Sequence, residues 1–371
     1  MYRTFLQKLR SFDWILLGSV LMLSAIGLIM IYGISTSLDY SSTLQFRKQL
    51  IALIIGLAFM VALALWNYRQ LRNYGMVVYF IGALLLIAVL FFGAEIRGTQ
   101  GWFKLGNITI QPVEVAKVCF AVFMASYFSK QIHKYINWIT FFGSFTAMSV
   151  YVFLILLQPD FGSAMIILVM WLIAVAFAGL RLRSWIALLA VGGLAVILAW
   201  TFLLAPYQKS RITSFLNPGA DPLGAGYNVI QAQTALGSGG WLGKGIGKGS
   251  QSRLRFLPEA STDFMFAVMG EELGFAGIAL ILGLFGVVLF RIIYIGYKSG
   301  DVFVEIYCIL IAGMFGMHVL INAGMNMGIM PVTGIPLPFA SAAASSLAAG
   351  FIALGIVQST VMHADALDRL A

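Results

Sequence analysis

Residues 14–33, WILLGSVLMLSAIGLIMIYG, run for twenty positions without a charged side chain. At 1.5 Å of rise per residue such a run covers the roughly 30 Å hydrocarbon core of a bilayer, so it reads as a spanning helix. It ends at Ile31-Tyr32-Gly33-Ile34 without an A-x-A cleavage pattern and further apolar runs follow, which predicts a retained helix and not a removed signal peptide. Working outward with the same span length predicts ten helices, at 14–33, 49–66, 74–93, 112–128, 138–157, 162–180, 184–205, 263–294, 302–330 and 338–362.

The whole chain agrees with that first run. Of 371 residues 61% are hydrophobic and 10% charged, and the mean hydropathy is +0.94. Too few charges remain to clothe a soluble surface, which excludes soluble enzyme folds. A β-barrel needs alternating segments of about ten residues, whereas these runs are continuous. The expected fold is an all-α polytopic integral membrane protein, a single transmembrane domain over 1–371, with membrane lipids as its surroundings and no nucleic-acid partner. Cys119 and Cys308 each sit inside an apolar run, and His133, His318 and His363 are scattered. No disulfide framework, zinc site or haem is expected.

Lys and Arg in short connections set the direction. One side collects Arg3, Lys8, Arg10, Arg69, Arg72, Lys130, Lys134, Arg181, Arg183, Arg291, Lys298 and Arg369; the short connections opposite carry Arg47, Lys48, Arg97 and Lys104. Both termini are therefore expected to be cytoplasmic. Residues 206–262 then form a large extracytoplasmic loop between helices 7 and 8. It holds Lys209, Arg211, Lys244, Lys248, Arg253 and Arg255 against Asp221 and Glu259, and ten glycines between Gly219 and Gly249. The run Gly243-Lys244-Gly245-Ile246-Gly247-Lys248-Gly249 suits either an anion cradle, built from exposed N–H groups beside ammonium groups, or a flexible loop kept soluble by lysine. It does not fit a Walker A loop, so no nucleotide is implied. Tyr227 to Leu236, with Val229, Ile230, Gln233 and Leu236 at helical spacing, predicts a short interfacial or re-entrant helix.

Charged groups near spans are costly and so mark candidate sites. The predicted topology brings Glu114, Lys117, Asp160 and Asp263 to the outer leaflet from three distant parts of the chain, and Arg211 joins them at that level. An outward polar cavity is the economical arrangement. Glu114 and Lys117 are spaced to pair with each other, Asp160 suits a turn, and Asp263 suits a helix cap as well as a general base or cation ligand. Glu271 and Glu272 lie deeper on helix 8, where carboxylates bonded to neighbouring helices are expected. His318, Asn322 and Asn326 form an i, i+4, i+8 stripe that suits interhelical hydrogen bonds or a pathway.

Gly237-Ser238-Gly239-Gly240, Phe256-Leu257-Pro258-Glu259, Thr262-Asp263-Phe264-Met265-Phe266-Ala267-Val268 and Gly270-Glu271-Glu272-Leu273-Gly274 together resemble the SEDS family, the RodA/FtsW/SpoVE proteins of cell-wall synthesis. Asp221 to Tyr227, Gln158 to Gly162 and Gln111 to Lys117 extend the likeness over nearly the whole chain. The resemblance implies a peptidoglycan glycosyltransferase of the bacterial cytoplasmic (inner) membrane that polymerises lipid II at its outer face, working with a class B penicillin-binding protein. It implies Asp263 as the essential carboxylate, with Glu114, Lys117, Asp160 and Arg211 in support. The short termini and the Gly243 to Ser252 segment look more like the elongation member than the division member. Departures stand at Ser261, where the family usually has His, at Val113 for Ser, at Gly101 for Arg, and at Ala342 to Ala344 within a Ser-Tyr-Gly-Gly-Ser run.

For such a transfer, Asp263 would serve as base or hold a divalent cation, Mg or Mn. Arg211, Lys117 and the basic loop residues Lys244, Lys248, Arg253 and Arg255 would meet the pyrophosphate. Two other readings stay open. A lipid II flippase or other carrier would run a path through Glu272 and the His318-Asn322-Asn326 stripe to the cytoplasm. A non-catalytic scaffold for the penicillin-binding protein would account for the departures around Ser261 and Ala342.

Overall fold

The computed structural model describes residues 11–36, 41–96, 98–106, 108–131, 136–198, 201–202, 209, 213, 215, 226–254 and 256–363. Helices α1 (Trp14–Thr36), α2 (Ser41–Leu65), the short α3 (Tyr68–Asn73) and α4 (Gly75–Phe92) lead into strands β1 (Ala94–Ile96), β2 (Thr99–Leu105) and β3 (Ile108–Ile110). Helices α5 (Pro112–Ser129), α6 (Trp138–Leu156), α7 (Phe161–Phe177) and α8 (Leu182–Leu198) follow. After them come α9 (Tyr227–Ser238), α10 (Ser250–Arg253), α11 (Met265–Lys298), α12 (Val302–Met327) and α13 (Ala344–Met362). Eight of these are long and apolar enough to cross a membrane, and α7 and α8 are shorter apolar helices. Eight of the ten expected spans are thus present at spanning length, α7 and α8 lie where the other two were expected, and the protein is a multi-pass membrane protein.

Local chemistry sets the helix starts. Pro112 opens α5, where its missing N–H costs nothing, and Glu114 follows in the first turn, where the helix dipole favours a negative charge. Asn137, Asp160 and Asp301 cap α6, α7 and α12 by accepting from the backbone N–H groups of Thr140, Ser163 and Phe303. Gly328, at φ 72°, ends α12 in the left-handed conformation. Helix α5 is the most enclosed span, 89% buried, with α13 and α12 next. Glu114 and Lys117 on α5 and His318, Asn322 and Asn326 on α12 lie on these enclosed helices and are buried, so protein and not lipid surrounds them.

Four features differ from the sequence reading. Helix α2 begins at Ser41, eight residues before the predicted start, so Arg47 and Lys48 lie in a helix and not in a connection. Long basic side chains near a span end reach the interface, and their charge therefore does not stop the helix. The last helix begins at Ala344 and not at 338, because residues 331–343 form an irregular segment packed into the bundle. The small antiparallel sheet β1-β2-β3 adds to the helical fold, with Leu105 of β2 paired to Ile108 of β3. In the sequence, Gly106-Asn107 between apolar and β-branched residues was the readable hairpin signal. Finally, α11 breaks at Gly274, whose φ of 66° and ψ of −167° are non-helical.

One end of the bundle is tied shut by hydrogen bonds and ion pairs between helix ends. Arg291 pairs with Asp13, whose backbone N–H donates to Gln358 Oε1 at 2.9 Å and whose carbonyl accepts from Gln358 Nε2 at 3.0 Å. Arg72 lies 3.5 Å from Asp301, which also accepts from the Tyr68 hydroxyl, and the Tyr68 N–H donates to Ser359 Oγ at 3.1 Å. The sheet, the glycine-rich loop and the irregular segment 331–343 lie at the other end.

Candidate active site

The break in α11 explains the glycine-rich loop. A regular helix would pair the N–H groups of Phe275 and Ala276 with carbonyls one turn back; here they donate to Gly240 O and Trp241 O at 2.9 and 3.0 Å. In return Lys244 N donates to Glu271 O at 3.0 Å and Gly245 N to Glu272 O at 2.9 Å. The loop therefore docks into the break and satisfies the backbone groups that the kink releases. Gly243 and Gly274 meet at this crossing. A Cβ on Gly243 would overlap the Glu272 carbonyl, and one on Gly274 would overlap the Gly243 nitrogen.

The anion cradle of this loop is filled from within the chain. Lys244 Nζ pairs with Glu271 Oε1 at 2.8 Å, and Ser250 Oγ and Gln251 N also donate to Glu271 Oε1, each at 3.1 Å. Gly247 N donates to Glu272 Oε2 at 2.9 Å, and Ser252 Oγ lies 3.3 Å from Oε1. Both glutamates are buried. The expectation that they bond to neighbouring helices is corrected here: their partners are in the loop, which reaches them because α11 is broken. Gly243→Ala places a side chain at φ 78° against fixed backbone. The expected result is a lower thermal midpoint in detergent, by more than the roughly 1–2 kcal/mol cost of a left-handed conformation alone.

Lys117 and Glu114 form a buried pair at 2.8 Å. Lys117 Nζ also lies 2.9 Å from His318 Nε2, while His318 Nδ1 lies 2.7 Å from the Met314 carbonyl. The carbonyl fixes the proton on Nδ1 and leaves Nε2 to accept from the ammonium. A cavity with room for about one water lies between Glu114, His318, Pro338 and Ser346.

Asp160 accepts from Ser163 N at 3.0 Å and Ser163 Oγ at 2.8 Å, and Gln111 Nε2 lies 3.4 Å away. Burial pushes its carboxyl above the usual carboxylate range, against the opposing effect of the Ser163 bonds. The turn role expected for it is present, and through Gln111 it adjoins the start of α5.

Asp263 is half-buried in the turn before α11. Phe264 occupies the cap position, with no side-chain cap bond, so helix capping does not account for Asp263. Its backbone carbonyl accepts from Asn322 Nδ2 at 3.0 Å and Asn326 Nδ2 at 3.1 Å. Asn322 also donates to Ile335 O at 2.8 Å, and Asn326 accepts from Ala267 N at 3.2 Å. Gly334 is the close neighbour of the carboxylate: a Cβ there would lie 3.6 Å from Asp263 Oδ2. Ser341 Oγ donates to Thr262 O at 2.7 Å, and Ala342 N to Ser261 O at 2.8 Å. Ser261 Oγ donates to Gln45 Oε1 at 2.9 Å, and Gln49 Nε2 to Ser341 O at 2.8 Å.

The His318-Asn322-Asn326 stripe thus links the two halves. His318 holds Lys117, and Asn322, about 6 Å further along the axis, holds Asp263. Of the sequence-derived candidates, Lys248 and Arg253 are exposed in the loop, while Arg211 and Arg255 lie outside the described residues. Gln45, Gln49, Ser341 and Ser346 were missed, because uncharged polar residues in or beside an apolar run carry no signal until their partners are known. Two departures, Ser261 and Ala342, touch each other, so the changes are concentrated beside Asp263.

These observations define a multi-pass membrane protein with a charged, amide-braced cluster at the loop end of its bundle. The family model described as cell cycle protein, covering FtsW, RodA and SpoVE, matches residues 13–366, and the chain belongs to that family. It is 36% identical over 349 residues to the probable peptidoglycan glycosyltransferase FtsW of Shewanella sediminis, covering 91% of this chain and 83% of that one. It is 35% identical over 322 residues to the peptidoglycan glycosyltransferase MrdB of Escherichia coli K12, covering 85% of each. A chain from a solved peptidoglycan synthase complex that coordinates polymerization and crosslinking superposes with a TM-score of 0.82 at 30% identity, over 95% of this chain and 99% of that one. The crystal structure of Thermus thermophilus rod shape determining protein RodA gives a TM-score of 0.72 at 28% identity, over 95% and 97%.

Proposed function

We propose that this chain is a peptidoglycan glycosyltransferase, the activity named for its FtsW and MrdB relatives, and that it polymerises lipid II at the outer face of the bacterial cytoplasmic membrane. The observation that carries the site assignment is the bracing of Asp263 by Asn322 and Asn326, on the helix face whose His318 holds the Lys117–Glu114 pair.

In the transfer, a sugar hydroxyl of an incoming lipid II attacks the anomeric carbon of the growing glycan. A new C–O bond forms, the C–O bond to the lipid pyrophosphate breaks, and the hydroxyl proton passes to the Asp263 carboxylate. A base at the acceptor and positive charge at the leaving group are what the reaction needs. Arg211, Lys248, Arg253 and Arg255 are offered for the second role. Lys244 enters it only by leaving Glu271, and Lys117 is held by Glu114 and His318 within the bundle.

Among the described residues no three acidic, histidine or cysteine side chains converge on a metal position. A cation at Asp263 would therefore have at most one further acidic, histidine or cysteine ligand among the described residues. Mg²⁺ and Mn²⁺ fit such a position, since Mg²⁺ keeps its waters and takes substrate phosphates as further ligands. The bound cation would supply charge at the pyrophosphate.

The tied end of the bundle speaks against a carrier, which would have to break the Asp13, Asp301 and Ser359 contacts in every cycle. The partner that fits this reading is a class B penicillin-binding protein, as the complex of the similar solved chain couples polymerization to crosslinking. The test is polymerisation of defined lipid II by the purified chain with that partner, with and without divalent cation; translocated lipid without glycan product would overturn the reading. In the same assay Asn322→Leu is expected to lower the rate about tenfold or more. The change leaves Ile335 O short of its donor and Asp263 O with Asn326 alone, a loss of roughly 1–3 kcal/mol.

A further inference from the structure

The structure commits the buried Lys117 to Glu114 and His318, and the exposed Lys244 to Glu271. Lys48 is different. It is half-buried in the second turn of α2 and makes no ion pair or hydrogen bond among the described residues. The other half-buried cations described, Arg72, Lys209 and Arg291, all have partners.

The register of α2 places Lys48 on the same side of the helix as Gln45. At 100° per residue, Lys48 is about 60° around the axis from Gln45 and one position before Gln49. Gln45 accepts from Ser261, and Gln49 donates to the carbonyl of Ser341, whose hydroxyl donates to Thr262 O. Both contacts lead to the two residues that precede Asp263. Arg47, one residue before Lys48, is exposed, so of the two adjacent cations Lys48 is the more enclosed. Partial burial of an ammonium with no counter-ion among the described residues is unfavourable, and an anion that arrives there relieves the cost.

We infer that Lys48 is a phosphate-binding residue of the active site and receives a phosphate of the polyprenyl pyrophosphate group of the substrate. The inference rests on the reading of Asp263 as the reacting carboxylate. A phospholipid headgroup offers the same chemistry, and the experiment separates the two sources.

The full chain carrying Asp263→Asn, which holds ligand without turnover, is placed in phosphatidylcholine nanodiscs, and binding of undecaprenyl pyrophosphate is measured by native mass spectrometry. Adding Lys48→Gln is expected to weaken binding about tenfold or more, the size of a charge-assisted hydrogen bond, while Lys48→Arg stays within about threefold of the parent. Equal binding by Lys48→Gln and the parent overturns the inference. So does a Lys48 effect that vanishes when phosphatidylglycerol is added in excess, which assigns the position to a headgroup. Thermal midpoints of both variants report folding, and weak binding by a folded Lys48→Arg protein also counts against a phosphate contact made by charge. If Asp263→Asn itself polymerises lipid II normally, the base assignment falls while the binding result for Lys48 is read independently.

Discussion

Asp263→Asn is expected to reduce polymerisation of lipid II by about 10²–10⁴-fold, the range over which a positioned general base contributes. The substitution keeps the size and polarity of the side chain and leaves the braced backbone intact, since Asn322 and Asn326 donate to the residue 263 carbonyl and not to its side chain. The protein is therefore expected to fold, with a thermal midpoint within a few degrees of the parent and unchanged assembly with its partner. Loss of product with folding retained assigns the carboxylate to chemistry. Polymerisation at the parental rate by Asp263→Asn would remove Asp263 from the mechanism and leave the family fold as the surviving conclusion.

Lys117→Met is expected to have the largest effect on stability. It leaves Glu114 inside the bundle without its ion-pair partner and removes the partner of His318. Breaking one side of a buried ion pair costs roughly 3–5 kcal/mol, because the surviving charge stays desolvated. The double variant Glu114→Gln, Lys117→Met removes both charges and is expected to recover much of that loss, as buried pairs contribute little net stability. Thermal unfolding in detergent measures both. If the single variant matches the parent, the pair is not buried in the manner described; if the double variant is no better than the single, the stability comes from His318 and the pair is secondary. Neither variant is expected to polymerise at the parental rate.

The apolar helices were readable because a run of apolar residues is a local property and lipid imposes one length on it. Helix α11 shows where that logic stops. Its sequence reads as one apolar helix, and the glycine at position 274 is one of several, yet this glycine takes the left-handed conformation because the Gly240 to Gly245 backbone packs against it. The same crossing turned the glycine-lysine run from a candidate cradle for an outside anion into a clasp for Glu271 and Glu272. Spacing suggested the Lys117–Glu114 pair, since i and i+3 face each other, but could not show that His318, 201 residues away, shares the ammonium.

By itself the sequence determined that the chain lives in a membrane, where its apolar helices fall, and, through motifs around Asp263, the family to which it belongs. These follow from short stretches whose chemistry does not depend on distant residues. The tertiary structure decided which buried charges are neutralised, which loop closes the break in α11, and that two asparagines hold the Asp263 carbonyl. Those contacts join residues from separate helices, and burial gives each polar group a strong preference for whichever partner the packing brings within reach.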